Sequence, residues 1–342
     1  MGRKPKFGNQ RDRMINFRTV FVLGAGASRS YGIATAKQLG DDVIDTFLTR
    51  PDERLIAYLA RLGAPRSTIQ RFCEVFRDSG KYSVDAFLEG LDESDKEREA
   101  FISIGKRAMA ALLMRYESHH ALFDTESLNR RNDDWYRLLF NKLGARFEDL
   151  GRNNVSFLTF NYDRSLEYYL MTTIINSYAK TFSEAKAAIE TLNIVHLYGH
   201  LGEITESSLN NWRDPRPELN EKHISQAADG IQILSDRNDN STLFDRAHAL
   251  LREAQVICFL GFSYQKTNVE RLFKDVVVIP AVRILGSAHG MEGIAERKIA
   301  DALLRKCTSN ATKYVARTEE LLDDRGHKVK AFLLNRFEWW DN

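Results

Sequence analysis

Short apolar runs separated by long stretches of helical periodicity organise this chain. Four runs read as strands: residues 19–23, 155–159, 194–197 and 256–260, with further candidates at 276–279 and 282–285. Each of the first four is almost continuously apolar and stops at a glycine or polar turn. That pattern fits strands buried on both faces of a parallel sheet. Between the first two runs the apolar positions recur at helical spacing, as in Leu55, Ile56, Leu59 and Leu62. Helices are predicted over 52–62, 67–76, 84–91, 97–116 and 135–150, too much chain for a simple crossover. A further helix is predicted over 241–254, with Ser241 as its N-cap and Leu243, Phe244, Ala247, Leu250 and Leu251 on one face. Asp214-Pro215-Arg216-Pro217 marks a surface loop.

The expected fold class is therefore α/β, a Rossmann-like parallel sheet with a large helical insertion. Its expected parts are a basic flexible arm (1–16), a Rossmann-like sheet domain (17–40 and 151–305), a helical insert (41–150) and a C-terminal extension (306–342). The 342 residues suit one large or two intermediate domains. With 49 basic and 47 acidic side chains, the net charge of +2 calls for neither nucleic acid nor an anionic membrane. The basic arm carries Arg3, Lys4, Lys6, Arg11 and Arg13. The aromatics Phe337, Trp339 and Trp340 are expected to dock on the domain itself. Three cysteines far apart, Cys73, Cys258 and Cys307, argue against a disulfide framework or a four-thiolate zinc site. No signal core and no run of about 18 apolar residues is present, so a soluble, cytoplasmic protein is expected.

The chemistry concentrates at the ends of the runs. Residues 20–28 read Val-Phe-Val-Leu-Gly-Ala-Gly-Ala-Ser. Two glycines one residue apart let the backbone approach a ligand, and a following helix would present amides to phosphate. The usual third glycine of a dinucleotide fingerprint is Arg29 here. The second run ends in Asn161 and Asp163. The amide can fix a ribose or a water, and the carboxylate can accept from ribose hydroxyls or cap a helix. The third ends in Ile-Val-His-Leu-Tyr-Gly-His, offering His196 and His200 as bases near neutral pH. In an extended strand residues 196, 198 and 200 would share a face. The fourth run ends at Gly261 and Ser263.

These motifs together resemble the Sir2-like family. Gly24–Ser28 followed by Gly32 and Ile33 is similar to the family's opening, with Ala34 in place of proline. Thr159 to Asp163 resembles its Asn-containing strand end, residues 194–199 its His-Gly turn, and Gly261-Phe262-Ser263 its Gly-Thr-Ser turn. Ser83 to Leu88 resembles a segment of bacterial members. Two departures stand out. The paired Cys-x-x-Cys zinc module of the deacylases is missing, and Tyr198 occupies the position directly before glycine.

The resemblance implies a zinc-free NAD+ hydrolase of the bacterial anti-phage type. NAD+ would be substrate, and Asn161 and His196 catalytic, with His200 the alternative base. Gly24, Ala25, Gly26, Ala27, Ser28, Thr35, Asn161, Asp163, Gly261 and Ser263 would hold the nucleotide, without metal. It also implies a homo-oligomer, with an ATPase of the HerA type or another defence protein as partner. Two other readings are an NAD- or ADP-ribose-binding sensor subunit and a protein deacylase or ADP-ribosyltransferase.

Overall fold

The structure, a computed structural model, describes residues 14–126, 132–144, 146–211, 219–233, 241–279, 282–289, 291, 294–308, 322 and 328–336. The basic residues of the arm up to Arg13, the 214–217 loop and the three C-terminal aromatics lie outside them. Five strands form one all-parallel sheet: β1 (Thr19–Leu23), β2 (Val155–Thr159), β3 (Ile194–His196), β4 (Val256–Leu260) and β5 (Arg283–Gly286). Their order is β3-β2-β1-β4-β5. The fold is α/β and Rossmann-like, with helical insertions. From β1 the chain moves outward through β2 to β3, then returns to the far side of β1 for β4 and β5. The connections thus diverge between β1 and β4. In open parallel sheets the crevice at the carboxyl ends of such a pair is where ligands bind.

Alternation within each strand fills two cores. Phe21, Leu23, Phe157 and Cys258 belong to the cluster on one face, with Trp135, Tyr136, Tyr168 and Leu170 from the helices that cover it. Val20, Val22, Leu158, Ile257 and Phe259 belong to the other, with Ala247 and Leu251 of the Ser241–Glu253 helix. A third cluster, including Val43, Leu59, Phe72, Leu88 and Met109, holds the helical insert together. It also takes in Ile224, Ala227 and Ile231, so the segment around Glu221–Asp229 packs with the insert. Trp135, Leu139 and Leu150, by contrast, pack with the sheet.

Two predicted elements differ. Residues 276–279 form no strand: Val276 and Val278 are buried in the core, and no neighbouring edge pairs with them. The helix from Trp135 stops at Lys142, just before Gly144 at φ +131°, and a 3-10 segment (Phe147–Arg152) follows. The helix after Asp163 begins at Ser165, with Arg164 as N-cap. Among the described residues no helix is long and apolar enough to cross a membrane.

Candidate functional site

The turn after β1 and the turn after β4 are locked together. Gly24 N–H donates to Leu260 O (3.0 Å), Gly26 N–H to Gly261 O (2.9 Å) and Ala27 N–H to Gly24 O (2.9 Å). A Cβ on Gly24 or Gly26 would fall 2.6 or 2.8 Å from Gly261 O. Gly261 itself sits at φ +56°, where a Cβ would lie 2.0 Å from Ala27 N. The close approach these glycines permit is therefore of one turn to the other. Three of the amides expected to face a phosphate, those of Gly24, Gly26 and Ala27, donate to protein carbonyls, and the helix they open, Ala25–Ser28, has four residues.

A cavity of about 1080 Å³ opens at the carboxyl ends of β1, β4 and β5. Of the predicted nucleotide-holding residues, Ala25, Gly26, Thr35, Gly261 and Ser263 line it. Thr35 also caps the Ala36–Ile44 helix, in a capping box with Gln38. Arg29, Lys37, Lys81 and Lys328 face the cavity with two carboxylates, Asp133 and Glu296, so its wall favours an anion. Lys37 is paired with Asp41 (2.8 Å). Burial pushes the Asp133 carboxyl up to about 6, against the donation from Lys330 N–H.

Gly26 and Gly261 form a glycine floor to this cavity, whereas the buried Ala27, Ser28, Asn161 and Asp163, and Gly24, do not line it. Asn161 Nδ2 donates to Gly24 O (3.1 Å) and Ser28 Oγ (3.2 Å). Ser28 Oγ donates to Asp163 Oδ1 (3.3 Å), which also accepts from the Ser165 amide and hydroxyl. Burial pushes Asp163 up to about 6; the Ser165 hydroxyl opposes the shift and the Glu117 charge adds to it.

His196 is tied to the same loop from the other side. Its Nδ1 donates to Asn161 O (2.8 Å), and its Nε2 meets Glu167 Oε1 at 2.5 Å. Burial alone would pull the imidazolium down, but the Glu167 carboxylate and the Asn161 carbonyl outweigh it and hold His196 above its ordinary pKa. Glu167 is held below its own, its burial outweighed by His196. With Nδ1 donating to a carbonyl and Nε2 facing a carboxylate, both nitrogens of the protonated ring donate, and in that state it offers no lone pair to take a proton. His196 faces a second cavity, of about 670 Å³, with Glu167, His200, Arg164, Lys186 and Arg246. Gly26 and Ser263 thus face one cavity and His196 another. Two cavities lie on either side of Asn161, joined by hydrogen bonds.

The shared face expected for residues 196, 198 and 200 is also corrected. β3 ends at His196 and the chain turns at Gly199, φ +76°. The His196 and His200 rings meet at 5.0 Å, while Tyr198 packs on Phe160 and Phe244 and donates to Asn268. Burial, with the neighbouring His196 charge, lowers the pKa of His200, and its Nδ1 accepts from Gly202 N–H.

Sequence reasoning missed the residues that hold the 161–164 loop. Tyr162 donates to the half-buried Asp85 Oδ1 (2.6 Å), inside the Ser83 to Leu88 segment. Arg164 pairs with Glu117 (2.6 Å), with side chains 11% and 2% exposed. The sequence signals were the Ser83 to Leu88 segment that contains Asp85 and the acidic Glu167 in the first helical turn after Asp163. Among the described residues no cluster of three His, Cys, Asp or Glu side chains could hold a metal ion. Neither protein-family models nor curated proteins match this chain.

Proposed function

We propose that the chain is a Sir2-like enzyme that hydrolyses NAD+ to nicotinamide and ADP-ribose. The observation that carries the reading is the large cation-lined cavity at the divergence of β1 and β4, with Asn161 and Asp163 hydrogen-bonded beneath its glycine floor. Arg29 and Lys81 supply charge for the pyrophosphate. Asn161 orients the nicotinamide ribose. Cleavage of the glycosidic bond sends its electron pair away with nicotinamide and leaves an oxocarbenium-like ribose. Water adds to that carbon and gives up one proton. His196 takes this proton only if Glu167 releases it to the neutral form; in the paired state it is a positioning residue that fixes the Asn161 carbonyl.

By the resemblance, the enzyme works in the bacterial cytoplasm as a homo-oligomer, with a HerA-type ATPase or another defence partner, and depletes NAD+ during phage infection. The test is incubation of the purified chain with NAD+, alone and with a partner, followed by chromatography for nicotinamide and ADP-ribose. Product release that disappears in Asn161→Ala is expected. Unchanged turnover by that variant refutes the assignment.

A second reading is favoured by Tyr198 before Gly199 and by the doubly donating His196. In it the chain binds NAD+ or ADP-ribose as a sensor without cleaving it. Tight binding with no nicotinamide release, with and without the partner, selects it.

A further inference from the structure

Among the described residues four large apolar side chains stand exposed, and two of them, Tyr82 (79%) and Ile299 (69%), line the 1080 Å³ cavity. They come from different walls. Tyr82 lies in the insert loop between the helices Arg66–Asp78 and Val84–Glu89, and Ile299 on the helix Ile294–Cys307. The Tyr82 ring makes no hydrogen bond or ring contact with the described residues, yet its backbone is held on both sides. Gly80 turns the chain at φ +66°. The Ser79 hydroxyl donates to Phe76 O (2.6 Å) and accepts from Lys81 N–H (3.2 Å). On the other side the Ser83 hydroxyl caps the next helix by accepting from Ala86 N–H (3.2 Å). A fixed backbone presenting a bare aromatic ring at the wall of this cavity, with an aliphatic side chain from another element also lining it, suits a flat aromatic ligand group.

We infer that Tyr82 and Ile299 grip the adenine base of the bound dinucleotide. This rests on the NAD+ reading of the same site, which puts the nicotinamide ribose near Asn161, beneath the glycine floor. The exposed apolar pair is then left to the other base. Lys81, adjacent to Tyr82 in the chain, and Arg29 lie on the same wall system to meet the phosphates. The ring supplies a stacking face, and the aliphatic chain shields the opposite side of the base from water.

The test is calorimetric titration of the full chain and of Tyr82→Ala, Tyr82→Phe and Ile299→Ala with NAD+, ADP-ribose and nicotinamide mononucleotide. Loss of one stacked ring weakens binding by about five- to 150-fold. Tyr82→Ala is expected to lose that much for NAD+ and ADP-ribose and nothing for the mononucleotide, Tyr82→Phe to keep wild-type affinity, and Ile299→Ala to show a smaller loss of the same pattern. Because both side chains are exposed, the melting temperature should not move, which keeps folding out of the result. Equal ADP-ribose affinity in wild type and Tyr82→Ala overturns the inference while leaving the NAD+ reading standing. So does a loss shared by the mononucleotide. Wild-type protein that binds neither NAD+ nor ADP-ribose overturns both.

Discussion

Replacing Glu167 by glutamine should change how the stability of the protein depends on pH. The Glu167–His196 pair is largely withdrawn from water, with side chains 19% and 7% exposed and a 2.5 Å contact. Unit charges about 4 Å apart attract by about 4 kcal/mol at an effective dielectric near 20. Desolvation of both ions offsets much of that. Glutamine retains an oxygen acceptor, and the ring can shed its proton, so the net loss near pH 6 should be about 1–3 kcal/mol. At about 2 °C per kcal/mol for a chain of this size, the melting temperature falls by about 2–6 °C. The sign follows from the two shifts. His196 is raised above its usual 6.5, so its contribution is complete below that value and is lost as pH rises through the higher folded value. Glu167 is lowered from 4.5, so its contribution is present above 4.5 and is lost as pH falls through the lower one. Wild-type protein should therefore gain most from the pair between these two pH values. In Glu167→Gln, burial opposes the charged ring against only the Asn161 carbonyl and Asp163, and the loss of stability above pH 6.5 disappears. Scanning fluorimetry of both proteins from pH 5 to 9 measures this. Melting curves that run parallel across that range refute an ionised pair.

Gly261→Ala would place a methyl 2.0 Å from Ala27 N at a positive φ, so loss of folded protein, or destabilisation beyond about 4 kcal/mol, is expected in urea titrations. Gly63→Ala is its control: φ is +91° with nothing within 4 Å of the added carbon, and the cost should stay near the 1–2 kcal/mol of a left-handed residue. Tyr162→Phe removes the donor to half-buried Asp85 and should cost about 1–2 kcal/mol. Asp85→Asn in the same background should recover part of it, and a double-mutant cycle that sums to zero would break the proposed link.

The strands were legible because a parallel sheet buries both faces of each strand, so apolar runs suffice to mark them. β1, β2 and β4 match their runs to the residue, while β3 ends one residue early and β5 begins one late. The same pattern misled at 276–279. Val276 and Val278 are buried and Val277 is 59% exposed, which imitates a half-buried strand. Periodicity reports which side of a segment is buried, not whether a sheet edge lies beside it. The strand-end residues were legible as chemistry, but their partners were not. His196 reaches Glu167 across 29 residues, Arg164 reaches Glu117 across 47, and Tyr162 reaches Asp85 across 77. Each pairing is made by tertiary packing and leaves no local trace.

Those partners account for how the 161–164 loop is held. Four successive residues are each held by side chains or backbone from elsewhere in the fold: Asn161 by the segment after β1 and by His196, Tyr162 by the helix Val84–Glu89, Asp163 by Ser28 of that same segment and by Ser165, and Arg164 by Glu117 at the end of the Arg98–Tyr116 helix. Two of the four anchors come from the helical insert, so the insert does more than cover the sheet. A loop fixed this way keeps its amide and carboxyl in place without help from a ligand, as a preorganised site requires. It also joins the cavities: the charge on His196 at the sheet edge acts on the Asn161 carbonyl, and the amide of that side chain holds Gly24 O in the turn beside the larger cavity. Protonation at one cavity is therefore coupled to geometry at the other through a single residue, and Glu167→Gln should shift the pH profile of NAD+ binding along with that of stability.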